Sequence, residues 1–136
     1  MAPTTPAANE AALLEAFLPV RDPHERLALI TESCAGAGLE PRMRHQQDLV
    51  HGCVAQVWLA GILTDGWLHL RWDSTSPLVR GLAGLICRVY QGSPAKEIAL
   101  HRSTLITDLG LARQLSPSRL RGLAGVESRI HFLAQS

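Results

Sequence analysis

The chain has 136 residues, enough for one domain and too few for a second independent core. At 46% hydrophobic and 18% charged residues it can bury a core without disulfides or a structural metal, and intrinsic disorder of the bulk is excluded. A formal net charge of +1 supplies no global basic field of the kind nucleic-acid binders use, although residues 1–53 are net acidic and residues 54–136 net basic.

Residues 1–9 are small and polar and are expected to form a flexible N-terminus, leaving residues 10–136 as the single domain. A short helix fits Glu10 to Leu18, stopped by Pro19. Asp22-Pro23-His24-Glu25 is a helix start: Asp as N-cap, Pro in the first turn, Glu three residues after the cap. Leu27, Ile30 and Cys34 follow at helical spacing, and Gly36 and Gly38 end the helix. Cys34 is thereby a core-facing packing residue. Residues 39–50 show no period and read as a connection, with room for a short helix.

From residue 56 the period becomes two. Val57, Leu59, Gly61 and Leu63 alternate with Gln56, Trp58, Ala60 and Ile62. After Thr64-Asp65-Gly66, Leu68, Leu70, Trp72 and Ser74 alternate with Trp67, His69, Arg71 and Asp73. Asp-Gly between alternating runs marks a two-residue hairpin turn. That turn sets Leu59 opposite Trp72, Gly61 opposite Leu70 and Leu63 opposite Leu68 on an apolar face. The other face pairs Trp58 with Asp73, Ala60 with Arg71 and Ile62 with His69. A one-residue slip would scramble this segregation. On the mixed face, Trp58 and Trp67 read as cover for the sheet or as a dimer contact, and His69 as a surface residue.

Ser76-Pro77 opens a further helix whose Leu78, Val79, Leu82, Leu85, Ile86, Val89 and Tyr90 make a wide apolar stripe. Gly81 and Gly84 permit close packing, Cys87 lies beside the stripe, and Gly92 terminates it. Ser93-Pro94 begins a short helical turn, and residues 103–112 hold room for another. The last helix starts at Ser116-Pro117 and runs to about Ala134, with Leu120, Leu123, Val126, Ile130 and Leu133 facing inward. The expected fold is α+β, a small antiparallel sheet with helices packed on one face.

Three cysteines, Cys34, Cys53 and Cys87, are odd in number and widely spaced, which argues against a disulfide scaffold and a CxxC metal site. No His spacing suits a metal, and neither a metal nor a bound cofactor is expected. Arg71, Arg80 and Arg88 interrupt the apolar middle, so no membrane span is expected. No secretory pattern precedes residue 10, and the expected location is cytoplasmic.

Cys53 differs from the other two cysteines. It follows Gly52, precedes the first strand and lies on no apolar helical stripe. The hairpin register, extended backwards, sets position 53 beside position 78, in the first turn of the Pro77 helix. A helix start favours a thiolate and can bring a cysteine pKa from about 8.5 to roughly 3.5–7.5. His51 could assist deprotonation. On these residues alone two readings stand, a reactive thiol and a cysteine tucked under a loop.

Val50-His51-Gly52-Cys53-Val54-Ala55-Gln56-Val57-Trp58 resembles the V-x-G-C-x-S-x-V-W signature of the SufE family of sulfur-acceptor proteins. Asp73-Ser74-Thr75-Ser76-Pro77-Leu78-Val79-Arg80-Gly81-Leu82 is similar to the family's D-S-D-A-x-I-V-x-G-L block. Leu115-Ser116-Pro117-Ser118-Arg119-Leu120-Arg121-Gly122-Leu123 is similar to its L-T-P-S-R-x-x-G-L block. Ala55 stands where the family has Ser, and Thr75 where it has Asp.

The resemblance implies a SufE/IscU-like fold and a carrier whose Cys53 accepts persulfide sulfur from a pyridoxal-phosphate cysteine desulfurase of the SufS type. The carrier stimulates that enzyme and passes sulfur to an iron–sulfur scaffold of the SufBCD type. Pyridoxal phosphate belongs to the partner, and the chain itself is not a turnover enzyme. Arg119, a motif residue, is either a cation that stabilises thiolate or persulfide near Cys53 or an exposed helix-start arginine. Asp73 either orients Arg119 or the loop, or is a solvated strand-end carboxylate. A homodimer is compatible with all of this.

Two other readings compete. An IscU-like iron–sulfur or zinc scaffold needs about three converging cysteines, whereas Cys34 and Cys87 fall on core stripes. A Cys53–His51 thiol hydrolase lacks an evident orienting Asn or Asp.

Overall fold

The computed structural model describes residues 3–52 and 55–135. Four helices begin alike, with a small polar cap followed by proline. Helix α1 (Pro6–Phe17) is capped by Thr5, α2 (Pro23–Ser33) by Asp22, α3 (Pro77–Tyr90) by Ser76 and α6 (Pro117–Ala134) by Ser116. In each, the side-chain oxygen accepts a hydrogen bond from an amide of the first turn, satisfying a donor the helix leaves free. The proline then occupies a position where no amide hydrogen is needed. Thr5-Pro6 moves the start of α1 ahead of the expected Glu10, so residues 6–9, expected to be flexible, form its first turn.

Strands β1 (Val57–Thr64) and β2 (Trp67–Ser74) pair antiparallel in the expected register, Leu59 opposite Trp72, Gly61 opposite Leu70 and Leu63 opposite Leu68. Asp65 and Gly66 both have positive φ, 55° and 82°, as the tight turn of a twisted hairpin demands. The apolar face lies on α3 and α6. The other face is covered only at its base. There the Arg44 guanidinium sits 5.0 Å over the ring of Trp58, which is buried beneath it, while Ile62, His69 and Arg71 at the far end are exposed.

The outer edge of β2 is also occupied. Leu68 donates to the Ser93 carbonyl at 2.9 Å and accepts from Gly92 at 2.7 Å. The Gln91 carboxamide takes both backbone groups of Leu70, accepting from its amide at 2.6 Å and donating to its carbonyl at 3.0 Å. Short helices α4 (Ala95–Ala99) and α5 (Leu105–Asp108) then lead to α6. Single 3-10 turns lie at Pro41–Met43, Gln46–Asp48 and Leu111–Arg113.

Helix α3 is the centre of the fold, touching α1, α2, α6 and β2. Its side facing α2 is made of glycine for a measurable reason. A Cβ on Gly84 would lie 1.6 Å from the Cys34 carbonyl oxygen, and one on Gly81 2.4 Å from the Thr31 Cα. The backbones therefore touch, and Cys34 and Cys87 are enclosed. Burial pushes both thiols up, and the nearby Arg88 offsets this only in part at Cys34.

A polar seam joins α1, α3, α6 and the segment before α5. Tyr90 donates its hydroxyl to Glu127 at 2.5 Å, and Glu127 also accepts the Ser103 amide at 3.0 Å. Glu10 on α1 meets His101 at 3.2 Å and the Ser103 hydroxyl. Arg102 lies 2.8 Å from Nδ1 of the buried His131. Among the described residues, no helix is long and apolar enough to cross a membrane.

Candidate functional site

The stretch from Leu49 to Gln56 leaves and rejoins the sheet at one place. Val50 donates its amide to the Val57 carbonyl at 2.8 Å, and Leu49 bridges Trp58. Gln56 and Thr75 close the other side, the Thr75 amide donating to the Gln56 carbonyl at 3.2 Å. Cys53 and Val54 lie outside the described residues. On one side of them is Gly52, with a φ of 92° that favours glycine, and on the other is Ala55.

Ala55 borders a cavity of about 140 Å³, walled by Val79 and Leu82 of α3 and by Leu123 and Val126 of α6. Ser118, Arg119 and Gly122 complete its lining. The three separate sequence blocks thus converge: Ala55 comes from the first, Val79 and Leu82 from the second, and Ser118 to Leu123 from the third. The first turns of α3 and α6 both contribute, and a helix start carries partial positive charge. The space is apolar, with a cation at its margin.

Arg119 is exposed, in the first turn of α6, and its guanidinium makes no hydrogen bond or ion pair among the described residues. His51 is exposed in the turn that follows Val50.

Asp73 corrects the reading of a solvated strand-end carboxylate. It is neither solvated nor in contact with Arg119 among the described residues, being 2% exposed. Its carboxylate accepts from the amides of Leu39 at 2.7 Å and Ser74 at 2.8 Å and from Arg44 Nη2 at 3.0 Å, with Arg80 Nε at 3.7 Å. Burial opposes ionisation, but the two amides and the Arg44 guanidinium outweigh it and hold the carboxyl below the usual carboxylate range. Asp73 therefore ties the 39–44 segment to the end of β2. The partners Leu39 and Arg44 sit in the stretch without a period, so nothing local in the sequence marks them.

Comparison with known proteins places these features in context. Residues 11–134 match the SufE family, described as an Fe-S metabolism associated domain. Over 129 residues the chain is 33% identical to an uncharacterized SufE-like protein of Synechocystis sp., across 93% of this chain and 80% of that protein. The solution structure of a hypothetical protein from Thermus thermophilus has the same fold, with a TM-score of 0.75 at 21% identity, covering 99% of this chain and 96% of that one.

Proposed function

The chain belongs to the SufE family of Fe-S metabolism associated domains, and from that premise we propose that it is a sulfur carrier whose Cys53 accepts persulfide sulfur from a cysteine desulfurase of the SufS type. The Cys53 thiolate attacks the terminal sulfur of the partner's cysteine persulfide. A new S–S bond forms at Cys53, the old S–S bond breaks, and the partner's cysteine leaves as a thiolate, so charge and sulfur count balance. The proton of the Cys53 thiol passes to solvent beforehand, with exposed His51 near in sequence as an acceptor. Pyridoxal phosphate stays with the partner, and the carrier itself needs no metal.

The observation that carries the reading is the cavity between the first turns of α3 and α6. It opens beside Ala55, two residues after Cys53 in sequence, and is walled by apolar side chains with Arg119 at its margin. A persulfide on Cys53, admitted there, would be shielded from water while its charge met the guanidinium. The charged Cys53 would then deliver sulfur to an iron–sulfur assembly scaffold of the SufBCD type, and its binding would stimulate the desulfurase. A cluster scaffold draws less support, because Cys34 and Cys87 are enclosed in the core with their thiols pushed up.

Intact mass after incubation with a SufS-type desulfurase and free cysteine tests the proposal. Wild type should gain a sulfur that dithiothreitol removes, and Cys53→Ser should gain none. Equal gain by both proteins, or none by wild type with several such enzymes, would overturn it.

A further inference from the structure

The stretch entering Cys53 rests on α6 along one helical stripe. Arg129 donates from Nη2 to the Gln47 carbonyl at 3.0 Å and reaches Asp48 Oδ1 at 3.8 Å. One turn earlier, Gly125 faces the next part of the stretch. A Cβ there would lie 3.2 Å from the His51 carbonyl oxygen and 3.4 Å from Val50 Cγ1. Earlier still, Gly122 lines the cavity with Ala55. Residues 122, 125 and 129 recur at the helical spacing, so a single face of α6 meets Gln47, Asp48, Val50, His51 and Ala55 among the described residues. Glycine weakens a helix interior, and Gly125 has no positive φ that would require it. The close approach of the His51 carbonyl supplies the reason.

The geometry points to Gly125 and Arg129 as positioning residues, the two points at which α6 seats residues 47–51 and so fixes where the chain is delivered into Cys53. The functional consequence rests on the sulfur-carrier reading, since a cysteine that trades sulfur must be presented from a defined place. The seating itself concerns only residues 47–51 and α6.

The test labels the full chain with iodoacetamide across a pH series, with no desulfurase present, and resolves each cysteine by peptide mass. Gly125→Leu pushes the His51 carbonyl away, and Arg129→Met, which has no donor, removes the hold on Gln47. In both variants the Cys53 labelling rate should change by about threefold or more and the midpoint of its pH profile should move, as local rather than global opening predicts. Arg129→Lys, which keeps a donor for the Gln47 carbonyl, should return toward wild type. Cys34 and Cys87, buried in the core, report global opening and should stay unlabelled on the same timescale.

Unchanged Cys53 labelling in both variants would overturn the proposal, as would a rise shared by all three cysteines. Because no sulfur is transferred in this assay, it stands or falls separately from the carrier reading. A seated stretch beside a Cys53 that takes no sulfur would sink only the latter.

Discussion

At the scale of single residues, Asp73 shows how a motif position can be structural. A buried carboxylate that holds two amides and a guanidinium leaves them all unsatisfied when it is removed, at a cost of about 3 kcal/mol. Asp73→Ala should lower stability by that order at neutral pH, read from urea unfolding. The pH dependence has a definite sign. Because the folded carboxyl lies below its ordinary value, its contribution is present above about pH 4 and is lost as pH falls below that. The gap between wild type and variant should therefore narrow in acid. Arg119 is the contrast: it is exposed and its guanidinium has no partner among the described residues, so replacing its side chain should change stability little. Sequence alone offered each residue one functional and one surface reading. What separates them is the distant pair Leu39 and Arg44, which no local pattern ties to the strand.

Among elements, the polar seam couples α1, α3 and α6, with His131 of α6 set against Arg102 and Tyr90. Burial, with Arg102 close by, holds the His131 pKa below its ordinary value, while Glu127 pulls the other way and the neighbouring His101 adds to the lowering. Protonation is thus resisted in the folded state and free in the unfolded one. Stability from this source is complete above about pH 6.5 and declines as pH falls. Wild type should lose more thermal stability between about pH 7 and about pH 5 than His131→Gln, measured by calorimetry. The elements themselves were largely legible. The Asp-Gly turn and the two-residue alternation determine every pair of the hairpin, and Asp22, Ser76 and Ser116 mark three helix starts by their capping chemistry. Thr5-Pro6 carries the same signal, obscured by the small polar residues around it. Trp58 could not be placed from the alternation, because Arg44, which covers it, comes from a segment without periodicity.

For the whole molecule, convergence matters more than any single element. The three sequence blocks are far apart along the chain, yet each lines the same cavity because α3 passes through the centre and α6 lies across it. The order of the motifs is readable in the sequence; the shared space needs the packing of α3 on α6. The same packing sorts the cysteines. Cys34 and Cys87 are enclosed where α2 and α3 touch backbone to backbone, so the folded protein should show one rapidly reacting thiol with Ellman's reagent, and three after denaturation. Two or more fast thiols in the native protein would contradict the assignment of Cys53 as the lone nucleophile. The Gln91 carboxamide has a consequence beyond this molecule. It stands where a third strand would run, and with Gly92 and Ser93 it takes every donor and acceptor that Leu68 and Leu70 turn outward. A neighbouring copy approaching this half of the strand finds its outward groups already taken, so fibril growth from one molecule into the next has no starting point at Leu68 or Leu70.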